Sequence, residues 1–250
     1  MASKPETAFD HEQFDTIYPE GVERHYWNRC RNQVIAEHLR RIRAEGPLLE
    51  VGCGKGLVVH ALRNAGFAIT GVELAAVRPI LEAAPYVRTA TDARQLEVAQ
   101  RNEVRTILLL DVIEHLEDPV AFLAELRSHF PALRHLLLTV PARQELFSNY
   151  DEFNGHFRRY DPALLREHTT LPGDRYLGST YFFHALYPAA RLQLKFRGAR
   201  TVGFSVPTLG PATWLHALLG RVFFWEHRLL PASWKGTSLI GAVHVGGDAP

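Results

Sequence analysis

Residues 48–56, LLEVGCGKG, join an apolar run to one carboxylate, Glu50, and to glycines at positions 52, 54 and 56. The preceding PLLEV reads as a short buried strand and the following LVVHALRNAG as a helix closing on Gly66, so the glycines make the turn between them. Such a turn offers bare backbone and N–H groups at a helix N-terminus, where a ligand can approach closely. A dinucleotide fingerprint, G-x-G-x-x-G, requires glycine at position 57, but that residue is Leu57, and the spacing is G-x-G-x-G.

Outward from this turn, short apolar runs alternate with helical patterns: FAITGVEL, YVRTATDA, TILLLDVI, a helix after Pro119, and HLLLTVP. Strands alternating with helices imply crossover connections and a parallel sheet covered on both faces. The runs ILLL and LLLTV are continuous rather than alternating, as expected of central strands buried on both sides. Upstream, Gly21–Arg43 lacks Pro and internal Gly and places Val22, Tyr26, Cys30 and Val34 on one helical face. Beyond Pro141 come an aromatic, basic stretch (LFSNYDEFNGHFRRY), a helix start at Asp161-Pro162, the run YLGSTYFF, two apolar helical patterns and TSLIGAVHV.

The 250 residues are 46% hydrophobic and 22% charged, enough for one large core, and the formal net charge of +1 gives no reason to expect a nucleic acid as partner. Cys30 and Cys53 lie in separate segments and read as reduced thiols. The N-terminal MASKPETAFDHEQFD lacks the apolar core of about 7 to 15 residues of a secretion signal, and no run reaches the ~18 apolar residues of a spanning helix. The expected location is cytoplasmic.

The strand ends together resemble the class I S-adenosylmethionine-dependent methyltransferases. Glu50, Gly52, Cys53, Gly54 and Gly56 match that family's first motif, an acid followed by G-x-G-x-G. Glu73, followed by Leu74, ends the second strand where the resemblance implies an acceptor for both ribose hydroxyls. Asp92, beside Ala93, stands where the family receives the adenine amino group, and Asp111 with Val112 ends the fourth strand. The D-x-x-E-H-L run is similar to the subgroup typified by ubiquinone-biosynthesis methyltransferases, also grouped as methyltransferase type 11. YPEGVERHYWNRCRN, GHFRRYDPALLREH, YFFHALYPAARL, EHRLLP and SLIG resemble a bacterial subfamily, with G-H-x-R-R-Y the most distinctive piece. Two departures are Cys53 and Thr169-Thr170-Leu171-Pro172, where a more glycine-rich helix end is expected.

The resemblance implies an α/β, Rossmann-like fold with a seven-stranded, mostly parallel sheet, an antiparallel last strand, an N-terminal helix and a helical insertion before the last strand. The expected boundaries are a helical cap over 1–45 and a methyltransferase domain over 46–250, its insertion at about 185–235. It implies S-adenosyl-L-methionine as cofactor, S-adenosyl-L-homocysteine as product, and a small polar or sugar-like acceptor of envelope or secondary metabolism, methylated on oxygen or nitrogen. The alternative is a non-catalytic S-adenosylmethionine-binding scaffold or sensor. A nicotinamide dehydrogenase fails on the glycine spacing.

Methyl transfer from a sulfonium is an in-line displacement that positioning and desolvation can drive without a metal. An oxygen or nitrogen acceptor that carries a proton loses it to a base, and histidine, with a pKa of ~6.5, suits that. Of the thirteen histidines, His115 and His156 are the candidates: each is either that base or a structural hydrogen-bond partner, His115 to Glu114 or Asp118. Arg158, Arg159 and Tyr160 offer donors to a carboxylate, phosphate or sugar, or else pair internally with Asp151, Glu152 or Asp161. Tyr18, Tyr26 and Trp27 either cover the pocket or pack the N-terminal helix on the sheet. Asp111 and Asp151 alone are too few oxygen ligands for a hard cation, and no metal is expected. In WLHALLGRVFFWEHRLL, residues 214–230, Leu215, Leu218, Leu219, Val222 and Phe223 share one helical face with Arg221 and Arg228 off it. That face is a pocket lid, a dimer face or a peripheral membrane contact, and the protein is a monomer or homodimer.

Overall fold

The computed structural model describes residues 16, 18–200 and 205–246. Helix α1, Tyr26–Arg41, starts later than the apolar spacing predicts: Gly21 at φ +85° leads a single 3-10 turn, and extended His25 then caps the helix through Nδ1, which accepts from the Trp27 N–H at 3.3 Å.

Seven strands follow: β1 Leu48–Val51, β2 Ile69–Val72, β3 Val87–Arg88, β4 Thr106–Leu110, β5 His135–Pro141, β6 Arg175–Phe182 and β7 Ser238–His244. They make one sheet in the order β3-β2-β1-β4-β5-β7-β6. Neighbours from β3 to β5 pair in parallel, and β7 inserts antiparallel to both β5 and β6. The expected α/β architecture with an antiparallel last strand is the one observed.

Every residue of β4 is buried because both faces of the sheet are covered. Successive residues point to opposite faces: Ile107 and Leu109 join Leu136 and Leu138 in one core, under α4 (Pro119–Ser128) and α6 (Pro162–Thr169). Leu108 and Leu110 join Leu137 in the other, under α1 and α2 (Leu57–Asn64). The short helices α3 (Val98–Glu103) and α5 (Asn149–Phe153) complete the connections ahead of β6. Sheet order reverses between β1 and β4, and the crevice beyond their carboxyl ends is where open α/β sheets bind ligands.

The expected insertion between β6 and β7 is a pair of helices, α7 (Leu186–Arg197) and α8 (Pro211–Leu229). Helix α8 lies on α1 at Gly220, where a Cβ would stand 2.9 Å from the Arg29 Cβ. Phe223 stacks on Tyr26 at 5.3 Å and meets Phe183 at 5.5 Å. Here the single-face reading of α8 needs correction. Phe223 points inward, while Leu215, Leu218 and Val222 join Trp225 and Leu229 on the opposite, exposed side. The helix is apolar on two faces, which one periodicity cannot separate.

Candidate active site

The turn after β1 is tied to β2 by the N–H groups of Gly52 and Cys53, which both donate to the Val72 carbonyl at 2.9 and 3.1 Å. Two glycines are dictated by conformation and by space. Gly54 has φ +53°, and a Cβ there would lie 3.1 Å from the ring of Tyr18, which covers the turn. Gly56 has φ +81° and caps α2, with Ala83 and Val87 leaving no room for a side chain. Cys53 turns its sulfur inward against Gly71, so it shows the cleft only backbone.

Three acids, Glu50, Glu73 and Asp111, stand close together at this turn, and a fourth, Asp92, follows β3. The Glu73 carboxylate accepts from the Gly54 and Ala75 N–H groups, each at 2.9 Å, beside half-buried Leu74. Glu50 is 3% exposed, its Oε2 lacks a partner among the described residues, and burial raises its pKa to about 8. Asp92 caps the turn at Ala93 by accepting from the Arg94 N–H, and both its oxygens also receive the Arg94 guanidinium at 3.0 Å. That hydrogen bonding holds Asp92 below the usual carboxylate range. An adenine amino group would therefore share Asp92 with Arg94. Asp111 adopts φ +58° before Val112 and pairs with Arg31 of α1 at 2.6 Å, with Thr139 donating at 3.2 Å. Arg31 is not among the expected site residues: it lies 80 residues before Asp111, on a helix whose sequence signals only packing.

Beside Asp111 opens a cavity of about 380 Å³ walled by α1, α7 and the loops after β4 and β5. Tyr18, Trp27, Arg31, His115, His156 and Arg159 all line it. Trp27 is fixed between Phe183, stacked at 5.9 Å, and the Arg31 guanidinium at 5.2 Å. The expected histidines come together, their ring centroids 4.6 Å apart. His156 Nδ1 lies 2.9 Å from Asp151 Oδ1, and Arg159 Nε donates to the same oxygen at 2.7 Å. Burial first, then neighbouring His156, lowers the His115 pKa to about 4. Fully buried Glu114 joins them: one ligand atom from each of Glu114, His115 and His156 lies within 4.8 Å of the others. Burial and nearby Asp111 push the Glu114 carboxyl well above its ordinary range. This mixed set differs from Asp111 and Asp151, the oxygen ligands the sequence suggests, although D-x-x-E-H already contains two of its members.

Of the five residues expected to bind substrate, Tyr18, Trp27 and Arg159 line the cavity, and Arg158 and Tyr160 point elsewhere. The chain at Tyr160 runs beside the end of β5, with the Tyr160 N–H donating to Pro141 O and the Arg143 N–H to Tyr160 O. Alternation along this extended segment sends Arg159 to the cavity and its neighbours away. Arg158 instead donates to the Glu117 carbonyl at 2.9 Å. Tyr160 is fully buried in the core, its hydroxyl donating to Ile113 O at 3.3 Å. Unanticipated Arg200 also lines the cavity, 5.1 Å from the ring of Tyr150.

A profile of the methyltransferase domain matches residues 23–170. The chain belongs to this methyltransferase family. Its cofactor is S-adenosyl-L-methionine. The glycine turn, the Glu73 acceptor and the unpartnered Glu50 oxygen fit a cationic, hydroxylated donor of that kind. The methyltransferase is 33% identical over 118 residues to the ubiquinone biosynthesis O-methyltransferase of Caulobacter vibrioides, across 40% of this chain and 46% of the relative. The corresponding enzyme of Cereibacter sphaeroides is 30% identical over 124 residues, covering 41% and 48%. The match thus spans about half the length of these curated relatives. Magnesium protoporphyrin IX methyltransferase from Synechocystis PCC 6803, solved with S-adenosylhomocysteine, shares the fold with a TM-score of 0.50 at 15% identity, over 93% of this chain and 92% of that one. Helix α7 and the start of β7, which help to line the cavity, lie beyond the matched domain, as do β6 and α8.

Proposed function

We propose that this methyltransferase moves the methyl group of S-adenosyl-L-methionine onto an oxygen of a small polar, hydroxylated acceptor bound in the cavity beside His115 and His156. The observation that carries the reading is the His156–Asp151 pair at 2.9 Å in the wall of a cavity sized for a small molecule. The curated relatives are O-methyltransferases, which favours oxygen over nitrogen.

In this reading Glu73 takes the ribose hydroxyls, the turn at Gly52–Gly56 lies along the methionine portion, and Tyr18 closes over it. Asp92 and Ala93 flank the adenine, and Arg31 holds Asp111 in its left-handed conformation at the boundary between donor and acceptor. The bond from acceptor oxygen to methyl carbon forms as the carbon–sulfur bond breaks, and its electron pair stays on sulfur. The acceptor proton leaves to the Glu114–His115–His156 cluster, where Asp151 orients the His156 ring. Trp27 and Tyr18 exclude water, which otherwise solvates the nucleophile.

The test is methyl transfer from labelled S-adenosylmethionine to a panel of catechols, phenols and sugars. A hydroxylated compound should be methylated, and His156→Ala should slow transfer by roughly 10²- to 10⁴-fold with S-adenosylhomocysteine binding intact. Transfer only to amines, or full activity in His156→Ala, would sink the reading.

The exposed stripe of α8 supports a second element: peripheral contact with an anionic bilayer that presents an amphiphilic acceptor. Trp225 and Leu229 stand open beside Arg221 and Arg228, and the helix's only acid, Glu226, is turned to the His184 and Ala185 N–H groups. Co-sedimentation with phosphatidylglycerol vesicles should fall in Trp225→Glu. Unchanged sedimentation, or concentration-dependent dimers that the same substitution dissolves, would replace the bilayer by water or by a second copy.

A further inference from the structure

We propose that Glu114, His115 and His156 form a binding site for a divalent first-row transition metal in the wall of the acceptor cavity. The inference deepens the acceptor reading above and concerns the same cavity. Three observations bear on it independently. First, the donor atoms already converge within 4.8 Å of one another. Ligands ~2.1 Å from a cation stand about 3.4 Å apart in a tetrahedron, so closing the set needs shifts of roughly an ångström, within reach of side-chain rotation.

Second, Glu114 is 0% exposed, and neither of its carboxylate oxygens has a hydrogen-bond partner among the described residues. A buried polar group without a partner is rare, because losing water without replacement costs free energy. A cation bound by this carboxylate removes the anomaly. Third, both rings are held as metal-binding imidazoles are held. Asp151 sits on Nδ1 of His156 at 2.9 Å and is itself anchored by Arg159 at 2.7 Å and by the Ser148 N–H at 3.0 Å. That leaves Nε2 of His156 as the remaining donor, in the carboxylate–histidine–metal arrangement. The His115 ring is bracketed by the backbone carbonyls of Asn154 and Gly155. The two loops that supply the ligands are joined by the Phe157 N–H donating to the Glu114 carbonyl at 2.8 Å, so they move as one piece.

Two imidazole nitrogens and one carboxylate oxygen select zinc, manganese, iron or cobalt over calcium and magnesium, which take all-oxygen sets. Asp111 stays outside the set because Arg31 holds it at 2.6 Å. Three protein ligands beside an open cavity leave a coordination position for the acceptor. A hydroxyl bound there loses its proton more readily, and that proton passes to solvent through the cavity mouth. The two histidines then act as ligands, and a vicinal diol or catechol, able to offer two oxygens, is the acceptor class the site favours.

The experiment uses the full chain, stripped with a chelator and titrated with Co²⁺ by visible absorption and with Zn²⁺ by calorimetry. One equivalent should bind, with d–d bands of a nitrogen–oxygen site, and Glu114→Gln and His156→Asn should each weaken it at least tenfold. S-adenosylhomocysteine affinity, unchanged in both variants, shows that they are folded. Absence of saturable binding, or binding indifferent to both substitutions, overturns the proposal. Methyl transfer at full rate by the stripped protein also overturns it while leaving the acceptor reading intact. A metal that binds as described in a protein that methylates no hydroxylated compound overturns the acceptor reading and leaves the site.

Discussion

Replacing Glu73 by alanine separates the cofactor role proposed for it from the structural one it has in the fold. In the structure it accepts from the Gly54 and Ala75 N–H groups at 2.9 Å each and is only 8% exposed. Hydrogen bonds to a charged group contribute ~1.5 to 3 kcal/mol, and removing the acceptor leaves two donors with restricted access to water. Partial replacement by solvent puts the loss of folding stability at roughly 2 to 4 kcal/mol, which lowers the melting temperature by several degrees in a chain of this size. In the proposed function the same carboxylate also accepts from the ribose hydroxyls. Losing that contact alone weakens S-adenosylhomocysteine by about 12- to 160-fold. Titration calorimetry well below the variant's melting temperature reads the second effect free of the first. An affinity within twofold of the parent, in a protein shown folded by its near-ultraviolet dichroism, would refute the placement of the cofactor over the glycine turn. Glu73→Gln should fall between: its amide oxygen satisfies one N–H, while its NH₂ confronts the other.

The other predictions follow from single contacts. Gly54→Ala forces a Cβ into the left-handed region and toward the Tyr18 ring, so S-adenosylhomocysteine binding should drop at least tenfold, whereas Gly66→Ala, at φ +91° with open space around it, should leave affinity unchanged in the same titration. Arg159→Ala strands buried Asp151 and should cost about 3 to 5 kcal/mol in urea unfolding, against no more than ~0.5 kcal/mol for Arg158→Ala, whose side chain only reaches the Glu117 carbonyl. Burial, chiefly, lowers the His38 pKa to about 3; the unfolded chain binds that proton below pH ~6.5, so stability present above 6.5 is lost as pH falls toward 3, and His38→Gln should flatten that limb of the melting profile.

How much of this is legible in the sequence follows from what each signal reports. Strand ends are read well because a buried parallel strand is a largely apolar run, and the acid that ends it, Glu73 or Asp111, sits at the carboxyl edge of the sheet. Sequence order thus locates the crevice. It does not say what reaches into it from elsewhere: Arg31 looks like one more cation of an amphipathic helix until α1 is laid across the sheet and its guanidinium meets Asp111. Direction is lost in the same way. His156, Arg158, Arg159 and Tyr160 form one nearly contiguous block of letters, yet the chain bends at Phe157 and then alternates, and only His156 and Arg159 face the cavity. The two that do share a single anchor, Asp151, five and eight residues back. A motif of this kind is therefore better read through its shared partner than through its adjacency. Read so, a buried carboxylate that holds both a histidine and an arginine has little reason to exist unless the ring it orients faces something worth orienting toward.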